Sequence, residues 1–337
     1  MLLHKNIRVE LHRSLRSSVW IALLIFSSTG TARAQGAFGW LPQIQIAGTY
    51  SFLRGKPDNT NSAMDLSGAS ESLSYNFTPR FSAVAEAGEY RFTKPASVLE
   101  VFERIARGDI FYYELAVPEG KNIFDIAVAA ERLGLFPAAQ FLQAARNPAP
   151  IRDLDPEAPT LEGYLFPNTY RLSRSTTPDR LCRVMTSKFR EVWQSLQTDA
   201  PVHRTVTLAS LVEKEGKLAD ERPVIASVFL RRLAIGMKLD CDPTTIYAAL
   251  LRGSYHGVIH RSDLANEDPY NTYQHAGLPP GPIANPGEAS LRAVLHPAGA
   301  DYLYFVLRPD GSGGHSFSST LVDQQAAVAR YRKGTAQ

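Results

Sequence analysis

The sequence predicts an α+β protein, in which a small module of strands and helices precedes a larger mixed α/β domain. Three observations predict this fold class. Alternating apolar and polar residues typical of strands fill residues 35–86, helical periodicity dominates the rest, and a proline-rich segment at 147–160 separates two compact stretches. The 337 residues, 44% of them hydrophobic, suffice for one large core or two smaller ones. We expect segments at 1–34, 35–86, 87–147 and 151–337.

Composition excludes several classes of function. The 36 basic residues are interleaved with 33 acidic ones, and the net charge of +3 does not indicate a nucleic-acid partner. The two cysteines, Cys182 and Cys241, are too few for a disulfide framework and have no zinc-site spacing; buried thiols are preferred over a single bridge. Metal, nucleophilic-serine and nucleotide motifs are absent from the sequence, so we expect no cofactor.

Residues 1–34 have the pattern of an export signal. Four basic residues precede a short apolar run at 19–26, and Ala32-Arg33-Ala34 resembles a cleavage site before Gln35. The apolar run is much shorter than the roughly 20 residues that span a bilayer. We therefore expect a cleaved signal rather than a permanent anchor, and a mature chain in the cell envelope.

Residues 35–86 are strand-rich, with a long polar loop between alternating stretches. The aromatic alternation resembles the opening hairpin of a small outer-membrane barrel. Only two or three strands fit here, whereas such a barrel needs at least eight. An ordinary hairpin packed on the next domain is the preferred interpretation, and a fused or truncated barrel remnant is the alternative.

Residues 87–147 predict a compact α/β unit. A strand at 89–92 leads to a helix from Ser97, where Ser97 and Glu100 match a capping box. A strand at 111–117 leads to a second helix capped by Asn122. The residues predicted to face inward in this second helix are Ile123, Ile126, Ala127 and Ala130. The unit contains no catalytic cluster, which favours a binding or docking role.

The domain at 151–337 is predicted to be helical with one hairpin. The predicted helices are Pro178–Leu196, Thr207–Glu215, Glu221–Ile235, Pro243–Leu251 and Pro286–Leu295. A hairpin at 302–319 and an amphipathic helix complete the chain.

Glu162 is the first candidate for chemistry. It lies in LEGYLFPNTY, beside Tyr164 and other aromatic residues, and such packing raises a carboxyl pKa. A carboxyl that stays protonated near neutral pH can act as a general acid on a glycosidic oxygen. On these residues alone, a surface glutamate beside a structural aromatic cluster is at least as good an interpretation.

Glu213 and Glu215 are the next candidates. In a helix at 207–215, Glu215 shares a face with Leu208, Leu211 and Val212, so it is expected on the buried face. A structural ion pair and a catalytic role are equal interpretations of Glu215; the possible partners are Arg222, Arg231 and Arg232. Glu213 points elsewhere and is expected to be solvated or at the edge of a substrate site.

The remaining candidates lie further along the chain. Asp242 precedes a proline and is expected to be a helix N-cap. Asn271, Tyr273 and Asn285 lie in a proline- and glycine-rich loop at 270–287, and they could bind sugar hydroxyls and amides or satisfy the backbone of the loop. His315 follows a glycine-rich turn, where a structural role is expected.

Seven segments together resemble one family in the correct order. They are LEGYLFPNTY, LASLVEKE, ERPVIASVFLRRL, MKLDCDPTTIYA, YNTY, GLPPGPIANPG and YLYFVLRPDGSGGHSFSS. The family is the endolytic murein transglycosylases, also called YceG-like, and the resemblance runs from about Ala87 to the C-terminus. It implies a LysM-like module at 87–147, a catalytic domain at 151–337, and Glu162 as the catalytic acid. The family commonly has an aspartate where this chain has Asn168.

The resemblance also implies a reaction and a location. The expected reaction cleaves the β-1,4 bond between N-acetylmuramic acid and N-acetylglucosamine, with Glu162 acting first as acid and then as base to leave a 1,6-anhydro end. The expected partners are peptidoglycan strands and penicillin-binding synthases at the periplasmic face of the inner membrane. The alternatives are a muramidase, with Glu213 or Glu215 as second carboxyl, and a non-catalytic wall-binding protein.

Overall fold

The chain forms two compact units, Met1–Phe111 and Tyr112–Gln337. The computed structural model describes residues 32–33, 44–46, 51–53, 66–68, 72–78, 81–86, 100–101, 103–104 and 107–334. The predicted export segment before Ala32 and the predicted strand at 89–92 lie outside the described residues. Of the helix predicted from Ser97, residues 100–101 and 103–104 are described, and they are helical.

The described part of the first unit consists mainly of short antiparallel strands. One sheet has the order β1-β2-β5-β6 and a separate pair joins β3 to β4. The strands are β1 (Ala32–Arg33), β2 (Ile44–Ile46), β3 (Ser51–Leu53), β4 (Leu66–Gly68), β5 (Ser72–Thr78) and β6 (Phe81–Glu86). Strands β2 to β6 agree with the strand-rich pattern predicted for residues 35–86, whereas β1 lies within the predicted export segment.

The second unit opens with a strand, two helices and a strand. These are β7 (Tyr113–Val117), α1 (Ile123–Arg132), α2 (Ala138–Ala145) and β8 (Asn168–Leu172). The Asn122 side chain accepts from the Asp125 amide, and the Asp125 side chain accepts from the Asn122 amide, so the predicted cap of α1 is confirmed. All four residues predicted to face inward in α1 are buried.

Two elements of this region were not predicted. Helix α2 begins after Pro137, which provides no side-chain cap, and it packs through Phe141 and Ala145. Strand β8 pairs antiparallel with β7, from Tyr113 opposite Leu172 to Val117 opposite Asn168. The pairing joins segments on opposite sides of the proline-rich stretch, so local sequence carries little signal for it.

The proline-rich stretch at 147–160 is packed rather than extended. Ile151 is fully buried in the same apolar core as Leu115 and Leu161. The Leu161 amide also donates to the Ala145 carbonyl. Residues before and after this stretch therefore share one core, since apolar side chains within the stretch fill the space between them.

The rest of the unit is mainly helical. The elements are α3 (Pro178–Ser195), α4 (Val202–Glu215), a 3₁₀ turn (Ala219–Glu221), α5 (Arg222–Ala234), α6 (Asp242–Leu251), α7 (Arg261–Leu264), α8 (Glu288–Leu295), β9 (Tyr304–Leu307), β10 (His315–Ser318) and α9 (Leu321–Gly334). Strands β9 and β10 form the predicted hairpin. Among the described helices, none is both long and apolar enough to cross a membrane.

Helix α4 is the centre of this unit. Its eight consecutive residues from Thr205 to Val212 are all buried. Val206 and Ala209 pack in the core around α1 and α3, whereas Leu208 and Leu211 pack in a second core around α5 and α6. This stretch of α4 is buried on every side and has no solvent face, whereas Lys214 in its last turn is exposed.

Candidate functional site

The turn that carries Glu162 is shaped by Gly163. This glycine has φ +88°, which side-chain-bearing residues rarely adopt. A Cβ here would lie 2.5 Å from Pro282 and 2.9 Å from Val206. The LEGY turn, the loop at 270–287 and helix α4 therefore approach so closely that only glycine fits.

Glu162 is enclosed by protein, with 1% of its surface exposed. Its Oε2 accepts from the Ile123 amide at 2.9 Å, and its Oε1 accepts from the Asn285 side chain at 2.9 Å. Burial raises the pKa of Glu162 to about 8, although the hydrogen bonds from Ile123 and Tyr247 oppose the shift. Of the two interpretations of Glu162, the carboxyl of raised pKa agrees with this environment and the surface glutamate does not; burial is the main cause of the rise.

Asn285 holds this enclosure together. Its Oδ1 accepts from the amides of Gly163 and Leu165, both at 2.9 Å, and its Nδ2 donates to Glu162 and to the Lys121 carbonyl. These four bonds use the full capacity of the amide. Asn285 is fully buried, so its side chain serves the protein backbone and Glu162 rather than a sugar in this conformation.

Tyr164 belongs to a second buried polar group. It is fully buried, and its hydroxyl donates to the Asp155 carboxyl. His203 contacts the same Asp155 carboxyl through Nδ1 at 2.8 Å and the Pro280 carbonyl through Nε2 at 3.1 Å. Tyr164 thus links the LEGY turn to α4 and to the proline-rich loop.

Glu213 is buried, which corrects the expectation that it is solvated. Its side chain is 4% exposed and pairs with Arg222 at 3.0 Å. It also accepts from the Gly287 amide and the Ser290 hydroxyl, at the start of α8. A carboxylate suits a helix N-terminus, where unpaired amides point outward. Glu213 therefore joins the end of α4 to the starts of α5 and α8.

Glu215 lies in a different environment. It is the last residue of α4 and is partly exposed. Its Oε1 accepts from the Cys241 thiol at 3.2 Å. Burial and then the nearby Asp242 raise the Glu215 pKa, whereas the Cys241 bond and Lys214 lower it. The carboxyl also lies at the negative end of the helix dipole, which disfavours its ionised form.

The arginine partners predicted for Glu215 bind elsewhere. Arg222 pairs with Glu213, Arg231 pairs with Asp301, and Arg232 donates to the Leu239 carbonyl and lies 3.5 Å from Asp240. The prediction of a structural ion pair at Glu215 is therefore wrong for these three residues.

Asp242 and Tyr273 form a pair beside Glu215. The Tyr273 hydroxyl donates to Asp242 Oδ1 at 2.6 Å. The N-cap of α6 is Cys241, and Asp242 is the first helical residue, so the expectation that Asp242 is the cap is wrong by one position. Asp242 acts electrostatically on Glu215, which brings these two segments of the sequence into one cluster.

Asn271 supports the loop that carries Tyr273. It is fully buried, and its Nδ2 lies within hydrogen-bond distance of the carbonyls of Asp263, Leu264 and Asn266. Its Oδ1 accepts from the Tyr273 amide at 3.1 Å. Of the two interpretations of Asn271, backbone satisfaction agrees with these contacts.

Asn168 and His315 lie in other surroundings. Asn168 is exposed on β8, at a solvent-open groove of about 490 Å³ lined by neither Glu162 nor Glu215. The groove is lined by Asn168, Tyr170, Arg180, Arg183, Val184, Ser187, Lys188 and Glu191. His315 is buried, and its Nδ1 and amide both contact the Glu221 carboxyl, an arrangement that agrees with the structural role expected.

Two residues at these sites were not proposed from the sequence. Tyr247, on α6, lies against Glu162 and Phe124. Cys241 was expected only to be a buried thiol; both cysteines are indeed free and buried. The sequence signal was present in MKLDCDPTTIYA, which contains both residues.

The site and fold together define a mixed α/β protein with two carboxyls of raised pKa, Glu162 in the LEGY segment and Glu215 in the EKE segment. The YceG-like family model matches residues 62–330, and the chain belongs to the YceG-like family. An endolytic murein transglycosylase of Bacillus subtilis is 33% identical over 267 residues, which cover 73% of each chain. The protein of that name from Streptococcus pneumoniae serotype 2 is 29% identical over 66% of this chain and 46% of its own length.

A solved structure agrees with this membership. The crystal structure of a yceG-like protein from Listeria monocytogenes matches 72% of this chain and 85% of its own, with 31% sequence identity and a TM-score of 0.54. Sequence and fold therefore place the chain in the same family.

Proposed function

We propose that the chain is an endolytic lytic transglycosylase that cleaves peptidoglycan strands between N-acetylmuramic acid and N-acetylglucosamine. Family membership and the names of the bacterial relatives support this proposal. The reaction belongs to the carbon–oxygen lyases, since the C6 hydroxyl of the sugar replaces water as the nucleophile. It needs a carboxyl that can give and then take back a proton.

The observation that carries the proposal is the environment of Glu215. A general acid that acts on a polymeric substrate must hold a proton near neutral pH. Its carboxyl must also be accessible from solvent, because the glycan strand enters from there. Glu215 has the properties that favour such a role, because burial raises its pKa above the ordinary value and its side chain is partly exposed. Glu162 meets the first but is 1% exposed, and Glu213 is held by Arg222. We therefore propose Glu215 as the acid, and the role of Glu162 implied by resemblance becomes the alternative.

In this mechanism, Glu215 donates its proton to the glycosidic oxygen as positive charge develops at C1 of the sugar. The resulting carboxylate then removes the proton from the C6 hydroxyl, whose oxygen closes on C1. The proton count of the enzyme is restored, and the product has a 1,6-anhydro end. Asp242 lies close enough to influence Glu215 electrostatically, and a negative charge there would favour the positive transition state.

The biological setting is also a proposal. We propose that the enzyme acts in the cell envelope, at the periplasmic face of the inner membrane, on strands made by penicillin-binding synthases. Its cuts would end the elongation of nascent strands. Residues 87–147 would act as a LysM-like wall-binding module, as the family resemblance implies.

The test is digestion of purified sacculi with the full chain, followed by mass analysis of the fragments. We expect muropeptides with anhydro ends, and loss of at least 100-fold in rate for Glu215→Gln. Glu191→Gln is the control, because Glu191 is an exposed glutamate paired with Lys188 and is not placed at the site. Glu162→Gln is the decisive comparison. If folded Glu162→Gln protein is inactive while Glu215→Gln protein cleaves normally, the acid is Glu162.

Two rival functions have distinct outcomes in the same assay. Reducing ends in place of anhydro ends would show a muramidase that hydrolyses the same bond. Binding of sacculi without any cleavage by the unmutated chain would favour a wall-binding protein.

A further inference from the structure

Cys241 occupies a constrained position at the start of α6. Its amide donates to the Thr272 hydroxyl at 3.1 Å, and its carbonyl accepts from the Thr244 hydroxyl at 2.7 Å. The residue is 1% exposed. These backbone bonds fix the direction of the side chain, whose sulfur lies 3.2 Å from Oε1 of Glu215.

The thiol is the donor in this contact. Burial, and then the proximity of Glu215, raise the Cys241 pKa well above its ordinary value, so the proton stays on sulfur. A thiol is a weak hydrogen-bond donor compared with a hydroxyl. Glu215 is therefore oriented by a contact that stabilises its ionised form only weakly.

The other charged groups that act on Glu215 come from two elements. Lys214 precedes it on α4 and favours the ionised form, whereas Asp242 on α6 disfavours it. Asp242 is itself engaged by the Tyr273 hydroxyl. Because Lys214 and Asp242 act in opposite directions, the strength of the hydrogen bond from the Cys241 thiol changes how readily Glu215 gives up its proton.

We infer that Cys241 is a positioning residue for the acid: its thiol holds Oε1 of Glu215, so that Oε2 faces the glycosidic oxygen, and its weak donation keeps Glu215 a proton donor. This inference rests on the proposed role of Glu215. It assigns a task to a cysteine that composition alone describes as a small buried residue.

The test compares Cys241→Ser with Cys241→Ala in the full chain. A serine hydroxyl donates more strongly and favours the carboxylate, so the alkaline limb of the pH profile of kcat/KM should move about one pH unit toward acid. Alanine donates nothing, so this limb should move toward alkali. Cys182, the other buried free cysteine, provides matched controls, and both of its substitutions should leave the limb unchanged.

Shifts in opposite directions are the distinguishing result, because loss of packing alone would lower activity without moving the limb in two directions. Shifts in the same direction, or no shift, would overturn the inference.

A direct titration separates this inference from the proposed function. Infrared difference spectra across pH should contain a carboxyl band that disappears in Glu215→Gln, and the midpoint of that band should move oppositely in the two Cys241 variants. An unmoved midpoint overturns the positioning role. Moved midpoints with full cleavage activity in Glu215→Gln would show that Cys241 acts on the titration of Glu215 but would overturn Glu215 as the acid.

Discussion

The enclosure of Glu162 predicts a specific pH dependence of stability. In the folded chain its pKa is about 8, against an ordinary value of 4.5. Each pKa unit is worth about 1.36 kcal/mol, so the difference corresponds to about 5 kcal/mol. Because the folded pKa is raised, this contribution is fully present below about pH 4.5 and is lost as pH rises through about 8. Water entering the enclosure would make the measured effect smaller.

Glu162→Gln removes this titration and keeps the size of the side chain. A glutamine oxygen can accept from the Ile123 amide, but its NH₂ group then faces the Asn285 NH₂ group. This mismatch costs about 1–3 kcal/mol at every pH. The wild type should therefore be more stable than the variant near pH 5, and the difference should shrink and reverse by pH 9.

Urea denaturation at pH 5, 6, 7, 8 and 9 measures both free energies of unfolding. Glu191→Gln is the control, because Glu191 forms an exposed pair with Lys188 and should show no comparable trend. If wild type and Glu162→Gln differ by the same amount at all five pH values, the buried carboxyl does not titrate as argued. That result would refute the enclosure of Glu162.

Three further substitutions test the surroundings of the site. Gly163→Ala should lower the free energy of unfolding by at least about 3 kcal/mol in urea, because its Cβ would lie 2.5 Å from Pro282; wild-type stability would contradict this contact. His203→Ala should cost about 2 kcal/mol in the same assay, since buried Asp155 loses a partner; an unchanged midpoint would contradict it. Tyr273→Phe should fold normally yet digest sacculi about tenfold more slowly, because Asp242 loses its donor; full activity would exclude this pair from the site.

Local patterns in the sequence predicted local features well. The cap at Asn122 and the inward stripe of α1 depend on residues within one or two turns, and the structure has them as expected. For Glu162, the aromatic segment left a raised pKa and a surface position equally open, because the residues that bury it, Ile123 and Asn285, are distant in sequence.

The features that the sequence did not predict depend on contacts between residues far apart in the chain. A single apolar stripe predicted one buried face for α4, but the helix lies between two cores, so Glu213 is buried as well. The partner of Glu215 is 26 residues away, and no periodicity links it to α4. Strand β8 pairs with a strand more than 50 residues earlier, across the proline-rich stretch.

The comparison of Glu162 with Glu215 separates two properties of a catalytic acid. Residue type and apolar neighbours indicate a raised pKa, and both carboxyls have one. Access to substrate depends on which chain segments close over the carboxyl, and for Glu162 these come from α1 and from Asn285. The segments that bury Glu162, and so raise its pKa, therefore also exclude the substrate in this conformation.

A chemical measurement can test this difference in access. A water-soluble carbodiimide reacts with protonated carboxyls that it can reach, so treatment at pH 6 with a small amine should label Glu215 and leave Glu162 unmodified until urea unfolds the chain. Peptide mapping would locate the label, and cleavage activity should fall in proportion to modification at Glu215. Equal labelling of both glutamates in the folded chain would mean that the Glu162 enclosure opens in solution. Glu162 would then again be a candidate for the catalytic acid.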